Sequence, residues 1–240
     1  MENIGESNLR NLSFEKKFKR ESLIQSIIKN NKPIIFDVGA HKGESVIFFK
    51  KLFESSIIYS FEPDPDTFLE LSKNILPNTF YYNFALSDKI GDAKFYRNNI
   101  SHTNSLFKIN KDSKDSIAIN SEIKEEANNF LNHINNEFNV KTITLDSFIE
   151  DKSIPNIDLL KIDVQGAENL VLNGALKTLN HVKIIIIEVS FYDFYEKSTS
   201  IYDIEKIINN YGFKLFSISE ISNNPMNGRT DWAEIIYNKF

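Results

Sequence analysis

The sequence predicts an α/β chain built on an open, mostly parallel sheet. Three observations carry this prediction. Short apolar runs recur at Ile34–Phe36, Ile57–Tyr59, Asp158–Ile162 and Val182–Ile187, separated by stretches with helical spacing, as strands buried on both faces of a parallel sheet require. The first run leads into a glycine-bearing turn and then a helical pattern. Each run also meets an acidic residue at its end: Asp37, Glu62, Asp163 and Glu188.

The organising stretch is Pro33 to Gly43. Asp37 follows the strand, Gly39 and Gly43 shape the turn, and a helix starts at about Glu44. Glycine lets a ligand approach the backbone closely, and the new helix presents unpaired N–H groups above the strand end. The spacing narrows the ligand. A dinucleotide turn wants Gly-x-Gly-x-x-Gly, but His41 and Glu44 occupy the second and third glycine positions. The phosphate-loop pattern fails as well. Asp37 disfavours pyrophosphate and suits a ligand carrying an ammonium group. The same glycines also fit a role limited to a tight βα connection.

The second strand closes at Phe61-Glu62-Pro63, with Glu62 placed to accept hydrogen bonds from ribose hydroxyls. Pro63 and Pro65 end the strand and shape the next turn. Two strand ends of this kind imply a nucleoside ligand without phosphate demands.

With 240 residues, 41% of them hydrophobic, the chain has enough apolar material for one sizeable domain. A net charge of −5 creates no field that would gather nucleic acid, so no nucleic-acid partner is expected. The absence of cysteine excludes disulfides and thiolate metal sites. The first 20 residues lack the apolar core of a signal peptide, and no apolar run approaches the ~20 residues of a transmembrane segment. A cytoplasmic location is the expectation.

Residues 1–12 read as a poorly ordered tail, and residues 13–29 as one or two helices that pack on the sheet edge or cover the ligand site; residues 1–30 thus form an N-terminal extension. The basic cluster Lys16-Lys17-Phe18-Lys19-Arg20 suits an anionic acceptor or a membrane surface, although a solvated helix face is the favoured reading. Val46, Phe49, Lys50 and Phe53 share one face of the helix over 44–54, and Phe68, Leu69, Leu71 and Ile75 line the next helix, which Pro77 ends. Phe80–Phe84 reads as strand three, and Ala85, Leu86, Ser87 and Asp88 follow where they can flank a flat base or accept from its amine; a plain polar turn fits as well.

From about 97 to 139 the chain becomes polar, with a helix expected over 122–138. Such an insertion is where ligand specificity would reside. His102 at its start is a candidate general base, although a loop histidine is more often a solvated bystander. Lys141–Leu145 follows as a strand and Asp146–Ile149 as a short helix. Lys161 sits inside an apolar strand and needs a partner there, and Asp163 faces the site from the strand end. Glu168 falls in the first helical turn, where a carboxylate favours the helix dipole. Val182–Ile187 reads as the central strand of the sheet. Phe191–Tyr195 is a candidate acceptor wall or plain core. Ile201–Tyr211 is a helix ended by Gly212, and Phe213–Ser219 with Trp232–Tyr237 forms two strands joined by a polar loop.

Four segments together, Asp37-Val-Gly-Ala-His-Lys-Gly43, Phe61-Glu-Pro63, Ala85-Leu-Ser-Asp88 and Lys161-Ile-Asp-Val-Gln-Gly-Ala-Glu168, resemble the motif series of the FkbM family of S-adenosylmethionine-dependent methyltransferases. The resemblance covers about residues 33–238, and its most specific part is the Lys161–Glu168 string. It implies a doubly wound, mostly parallel seven-stranded Rossmann-like methyltransferase sheet with an antiparallel C-terminal hairpin over 31–240, S-adenosyl-L-methionine as cofactor, and methyl transfer to a hydroxyl of a glycan or small natural product. Cofactor contacts then fall to Asp37, Gly39, Ala40, His41, Gly43, Glu62, Pro63, Ala85, Leu86 and Ser87.

A hydroxyl acceptor is a weak acid, so its proton needs a base or a metal. The catalytic candidates are Asp163, Glu188 and His102, with Lys161 as orienter. Asp163 and Glu188 are also the pair that would share Mg²⁺ or Mn²⁺ through oxygen ligands. A nucleotide-binding oxidoreductase and a non-catalytic binding protein of the same fold are the alternatives. The glycine spacing opposes the first and the intact strand-end carboxylates oppose the second.

Overall fold

The structure is a computed structural model that describes residues 7–98, 100–113, 136–224 and 227–239. Two N-terminal helices, α1 (Ser7–Lys17) and α2 (Arg20–Ile27), precede the sheet. Residues 7–12, expected in a poorly ordered tail, belong to α1; the rest of that expected tail lies outside the described residues. The strands are β1 (Ile34–Val38), β2 (Ile57–Phe61), β3 (Thr79–Tyr82), β4 (Ala85–Leu86), β5 (Gly91–Arg97), β6 (Asn136–Ile143), β7 (Ile157–Ile162), β8 (Val182–Ser190), β9 (Phe213–Asn223) and β10 (Thr230–Lys239). The helices between them are α3 (Glu44–Leu52), α4 (Pro65–Leu71), α5 (Leu145–Lys152), α6 (Glu168–Asn173) and α7 (Ile201–Ile208).

The main sheet has seven strands in the order β3-β2-β1-β7-β8-β10-β9. β1, β2, β3, β7 and β8 pair in parallel, and β10 pairs antiparallel with β8 and with β9. The order reverses between β1 and β7, and in an open sheet the crevice above such a switch is where ligands bind. The expected plan of a mostly parallel sheet with an antiparallel hairpin is therefore the observed one. The middle strand is β7, whose six residues are all buried; the apolar run in β8 lies one strand further out.

Apolar side chains separate to the two sheet faces because strand residues alternate. Leu160 and Ile162 of β7 join Phe36, Phe148, Val171 and Ile204 on the face covered by α5, α6 and α7. Leu159 joins Leu23, Ile24, Phe49 and Leu71 on the face covered by α2, α3 and α4. Some helices carry side-chain caps that the sequence specifies. Asp64 caps α4 by accepting from Asp66 N at 2.9 Å and Thr67 N at 3.2 Å, with Pro65 at the first helical position. Ser200 and Asp203 form a reciprocal cap on α7.

Several local expectations shift. α4 ends at Leu71 instead of Pro77, with Ile75 exposed beyond it, and Leu69 lies on its exposed face. Strand three stops at Tyr82, and Ala85–Leu86 pairs elsewhere, in a separate three-stranded sheet β4-β6-β5. Residues 136–138, expected in a helix, open β6; the rest of that expected helix lies outside the described residues. β8 continues to Ser190, so Glu188 sits within the strand, directly opposite Glu234 of β10. Among the described residues no helix is long and apolar enough to cross a membrane.

Candidate active site

A cavity of about 540 Å³ opens over the β1/β7 switch, a volume suited to a cofactor-sized molecule. Gly39, Ala40 and His41 form its floor, Glu62 and Pro63 one side, and Ala85 and Leu86 another. Lys161, Asp163 and Gln165 close the β7 side, and His102 enters from the insertion.

The floor is set by backbone geometry. Gly39 has φ +84°, and a Cβ placed on it would lie 1.8 Å from the carbonyl oxygen of Asp163. Gly39 is therefore required because two strand-end loops cross at van der Waals distance, before any ligand is considered. His41 follows with φ 48°, and its Nε2 meets Ser101 Oγ at 2.8 Å while its Nδ1 faces Glu44 at 3.2 Å. Burial lowers the His41 pKa, against the opposing pull of Glu44. The rings of His41 and His102 lie edge to face, 5.4 Å between centroids. A loop histidine that the sequence alone would leave in solvent thus stands at the cavity wall.

Glu62 is buried and lines the cavity. Its two oxygens accept from His41 N at 3.0 Å and Asp64 N at 2.9 Å, and each keeps a lone pair for a further donor. Burial pushes its pKa up to about 8. Two added hydroxyl donors would favour its charged form. Together with the apolar Phe61, Phe84, Ala85 and Leu86 around it, this arrangement fits a nucleoside with its ribose on the carboxylate and its base against the apolar wall.

Asp37 is fully buried beneath the cavity. Its Oδ2 accepts from Ser45 Oγ at 2.6 Å, and Oδ1 has no hydrogen-bond partner among the described residues, with Lys161 Nζ 3.7 Å away. Burial raises its pKa, opposed by the Lys161 charge. β1 and β7 place Asp37 and Lys161 side by side in register. Lys161 Nζ also donates to Asp163 Oδ2 at 3.1 Å. Burial works against its charge, but Asp163 and Asp37 outweigh it, and the pKa is raised.

Asp163 is the carboxylate that reaches the cavity from β7. Gln165 turns back over it because Gln165 and Gly166 both take left-handed backbone conformations, φ 56° and 94°. Its amide nitrogen lies 2.9 Å from Asp163 Oδ1 and 2.9 Å from Glu188 Oε1. Tyr195 OH lies 3.1 Å from Gln165 Oε1 and 3.0 Å from the Thr103 carbonyl, and Ser105 Oγ donates to the Gln165 carbonyl at 2.7 Å. Glu168 holds the loop from behind, accepting from Gly166 N at 3.0 Å and Val164 N at 3.3 Å. Burial raises Glu168 to about 7. Burial, reinforced by Asp163, raises Glu188 to about 8.

Of the expected site residues, Gly39, Ala40, His41, Glu62, Pro63, Ala85, Leu86, His102, Lys161 and Asp163 line one cavity. Asp37 supports it from below. Gly43 packs against Leu71 and Asn74, Ser87 lies against Gly174, and Glu188 stands behind Gln165. Phe194 and Tyr195 pack with Ile109 in a small core beneath the insertion. Gln165 and Arg20 lie in the wall without having been singled out. The Gln165-Gly166 pair carried a turn signal; Arg20 carried none that separated it from its basic neighbours.

Residues 37–215 match the model of the methyltransferase FkbM domain. The chain belongs to the FkbM family. It carries an S-adenosylmethionine-dependent methyltransferase domain. It is 27% identical over 179 residues to the 2-O-methyltransferase NoeI of Sinorhizobium fredii, covering 72% of this chain and 70% of that protein. It is 26% identical over 159 residues to the hexuronic acid methyltransferase AglP of Haloferax volcanii, covering 65% of this chain and 55% of that protein. The crystal structure of methyltransferase FkbM from Methylobacillus flagellatus KT shares the fold, with a TM-score of 0.52 at 14% identity, covering 87% of this chain and 44% of that one. The chain thus spans little more than half of AglP and less than half of the solved FkbM protein.

Proposed function

We propose that this FkbM protein transfers the methyl group of S-adenosyl-L-methionine to a hydroxyl oxygen of a saccharide or small natural product. The observation that carries this reading is the setting of Asp163, a cavity-lining carboxylate held by Lys161 on one oxygen and Gln165 on the other. The names of NoeI and AglP support a sugar acceptor.

The bound cofactor would supply a methyl group activated by its sulfonium charge. Gly39, Ala40, Glu62, Pro63, Ala85 and Leu86 would hold its nucleoside part. Asp163 accepts the proton of the acceptor hydroxyl as that oxygen becomes the nucleophile. Lys161 and Gln165 fix the direction of the carboxylate, which matters because in-line transfer depends on alignment over ~3–3.5 Å. His102 shapes the acceptor side of the mouth. Glu188 acts through Gln165.

The donor set around Asp163 does not fit a divalent cation. The Gln165 amide presents N–H to both Asp163 and Glu188, so a donor occupies the place where a cation would have to sit. Among the described residues no group of three or more His, Asp or Glu is arranged to hold a metal.

The test is methyl uptake from methyl-labelled S-adenosylmethionine onto a panel of oligosaccharides and nucleotide-sugars. Base-stable label that appears as an O-methyl sugar after hydrolysis and mass analysis is an ether on a hydroxyl oxygen, the expected result. Base-labile label would mean a methyl ester on a carboxylate and would overturn the hydroxyl reading.

A further inference from the structure

We propose that Arg20, on an N-terminal helix outside the matched family domain, binds the carboxylate of the cofactor's amino-acid end. This rests on the cofactor reading above and adds the part of the ligand that the strand-end motifs leave unassigned.

Arg20 opens α2 and lines the same cavity as Gly39 and Asp163. Its Nε donates to Glu234 Oε1 at 2.8 Å and its Nη2 to Glu234 Oε2 at 2.6 Å. The guanidinium lies 4.3 Å from the centroid of the Phe48 ring. Glu220 Oε1 stands 3.6 Å from its Nε. The side chain is therefore held along one edge by two carboxylates and on one face by the ring. A guanidinium carries five N–H groups in a fixed fork, and the Glu234 pair uses two of them. That is a rigid, pre-ordered cation with donors left over, the arrangement suited to a carboxylate.

Position decides which carboxylate. The nucleoside-side residues Glu62, Pro63, Ala85 and Leu86 follow β2 and β3, on one flank of the β1/β7 switch. Arg20 is tied to Glu234 in β10, on the other flank. A nucleoside seated on the first flank directs an amino-acid tail toward the second.

The experiment is calorimetric titration of S-adenosylhomocysteine and of 5′-methylthioadenosine, which keeps the adenosine and thioether but has no carboxylate or amine. It compares the wild type with the double variant Arg20→Gln/Glu234→Gln, which leaves no buried charge orphaned. Melting curves check that the variant folds. The expected result is a loss of about ten-fold or more for S-adenosylhomocysteine, with methylthioadenosine changed by less than about two-fold. An equal loss for both ligands would make Arg20 a packing residue and overturn the proposal. Unchanged S-adenosylhomocysteine affinity with a raised acceptor KM would assign Arg20 to the acceptor and overturn it likewise. No binding of S-adenosylhomocysteine by the wild type would bring down the cofactor reading itself.

Discussion

Lys161 Nζ lies 3.1 Å from Asp163 Oδ2, the lysine inside β7 and the aspartate just beyond its end. Asp163 N donates to the Val38 carbonyl at 2.9 Å, which carries the β1–β7 pairing one residue past the strand and keeps the ion pair at the rim of the sheet. The amine also faces Asp37 across the β1–β7 ladder. One buried cation thus faces both a carboxylate beneath the cavity and a carboxylate that lines it.

Removing these two charges should have different consequences. Asp163→Asn keeps the shape and removes the proton acceptor, so kcat should fall by about 10²–10⁴-fold while S-adenosylhomocysteine affinity, measured by calorimetry, holds. Lys161→Met strands Asp37 in the interior and should cost about 3–5 kcal/mol in urea denaturation. Equal kinetic and stability losses in the two variants would remove the division of roles.

Stability should decline as pH rises from about 5 to about 8. Burial raises Glu62 and Glu188 to about 8 and Glu168 to about 7, above their ordinary value near 4.3. Over that interval the folded chain keeps protons that the unfolded chain releases, and stability falls wherever the folded state holds more protons. The contribution is complete below the unfolded value and lost as pH passes the folded one. Melting temperatures from pH 5 to 8.5 should show a shallower slope for Glu188→Gln than for wild type. An identical slope would mean that Glu188 is already ionised in the fold.

Two glycines with the same backbone sign should respond very differently to alanine. Gly39→Ala would set a Cβ 1.8 Å from the Asp163 carbonyl, whereas a Cβ at Gly212, φ +82°, meets nothing within 4 Å. Gly212→Ala should cost only the left-handed backbone strain, about 1–2 kcal/mol. Gly39→Ala should cost more than that and weaken S-adenosylhomocysteine binding by moving the β7 loop. Similar denaturation midpoints for the two variants would contradict the close crossing of those loops.

Activity should persist in EDTA, because Gln165 places an amide donor between Asp163 and Glu188. The assay is initial methyl-transfer rate before and after chelation and dialysis. A loss restored by Mg²⁺ or Mn²⁺ would return the two carboxylates to a metal-binding role.

Much of this protein was legible in local sequence. Strand periods, the glycine turn and the acidic strand ends depend on neighbouring residues alone, and they placed Gly39, Glu62, Lys161 and Asp163 at one rim of a doubly wound sheet. The series of four motifs identified the family. Local pattern does not encode which distant segments meet. Only the tertiary structure seated Arg20 on Glu234 across 214 residues of chain, brought His102 against His41, set Ala85 and Leu86 in a second sheet, and moved Glu188 behind Gln165. Each of these contacts is fixed by how helices and loops pack on the finished sheet, where burial and pairing of charges outweigh the preferences of any short stretch.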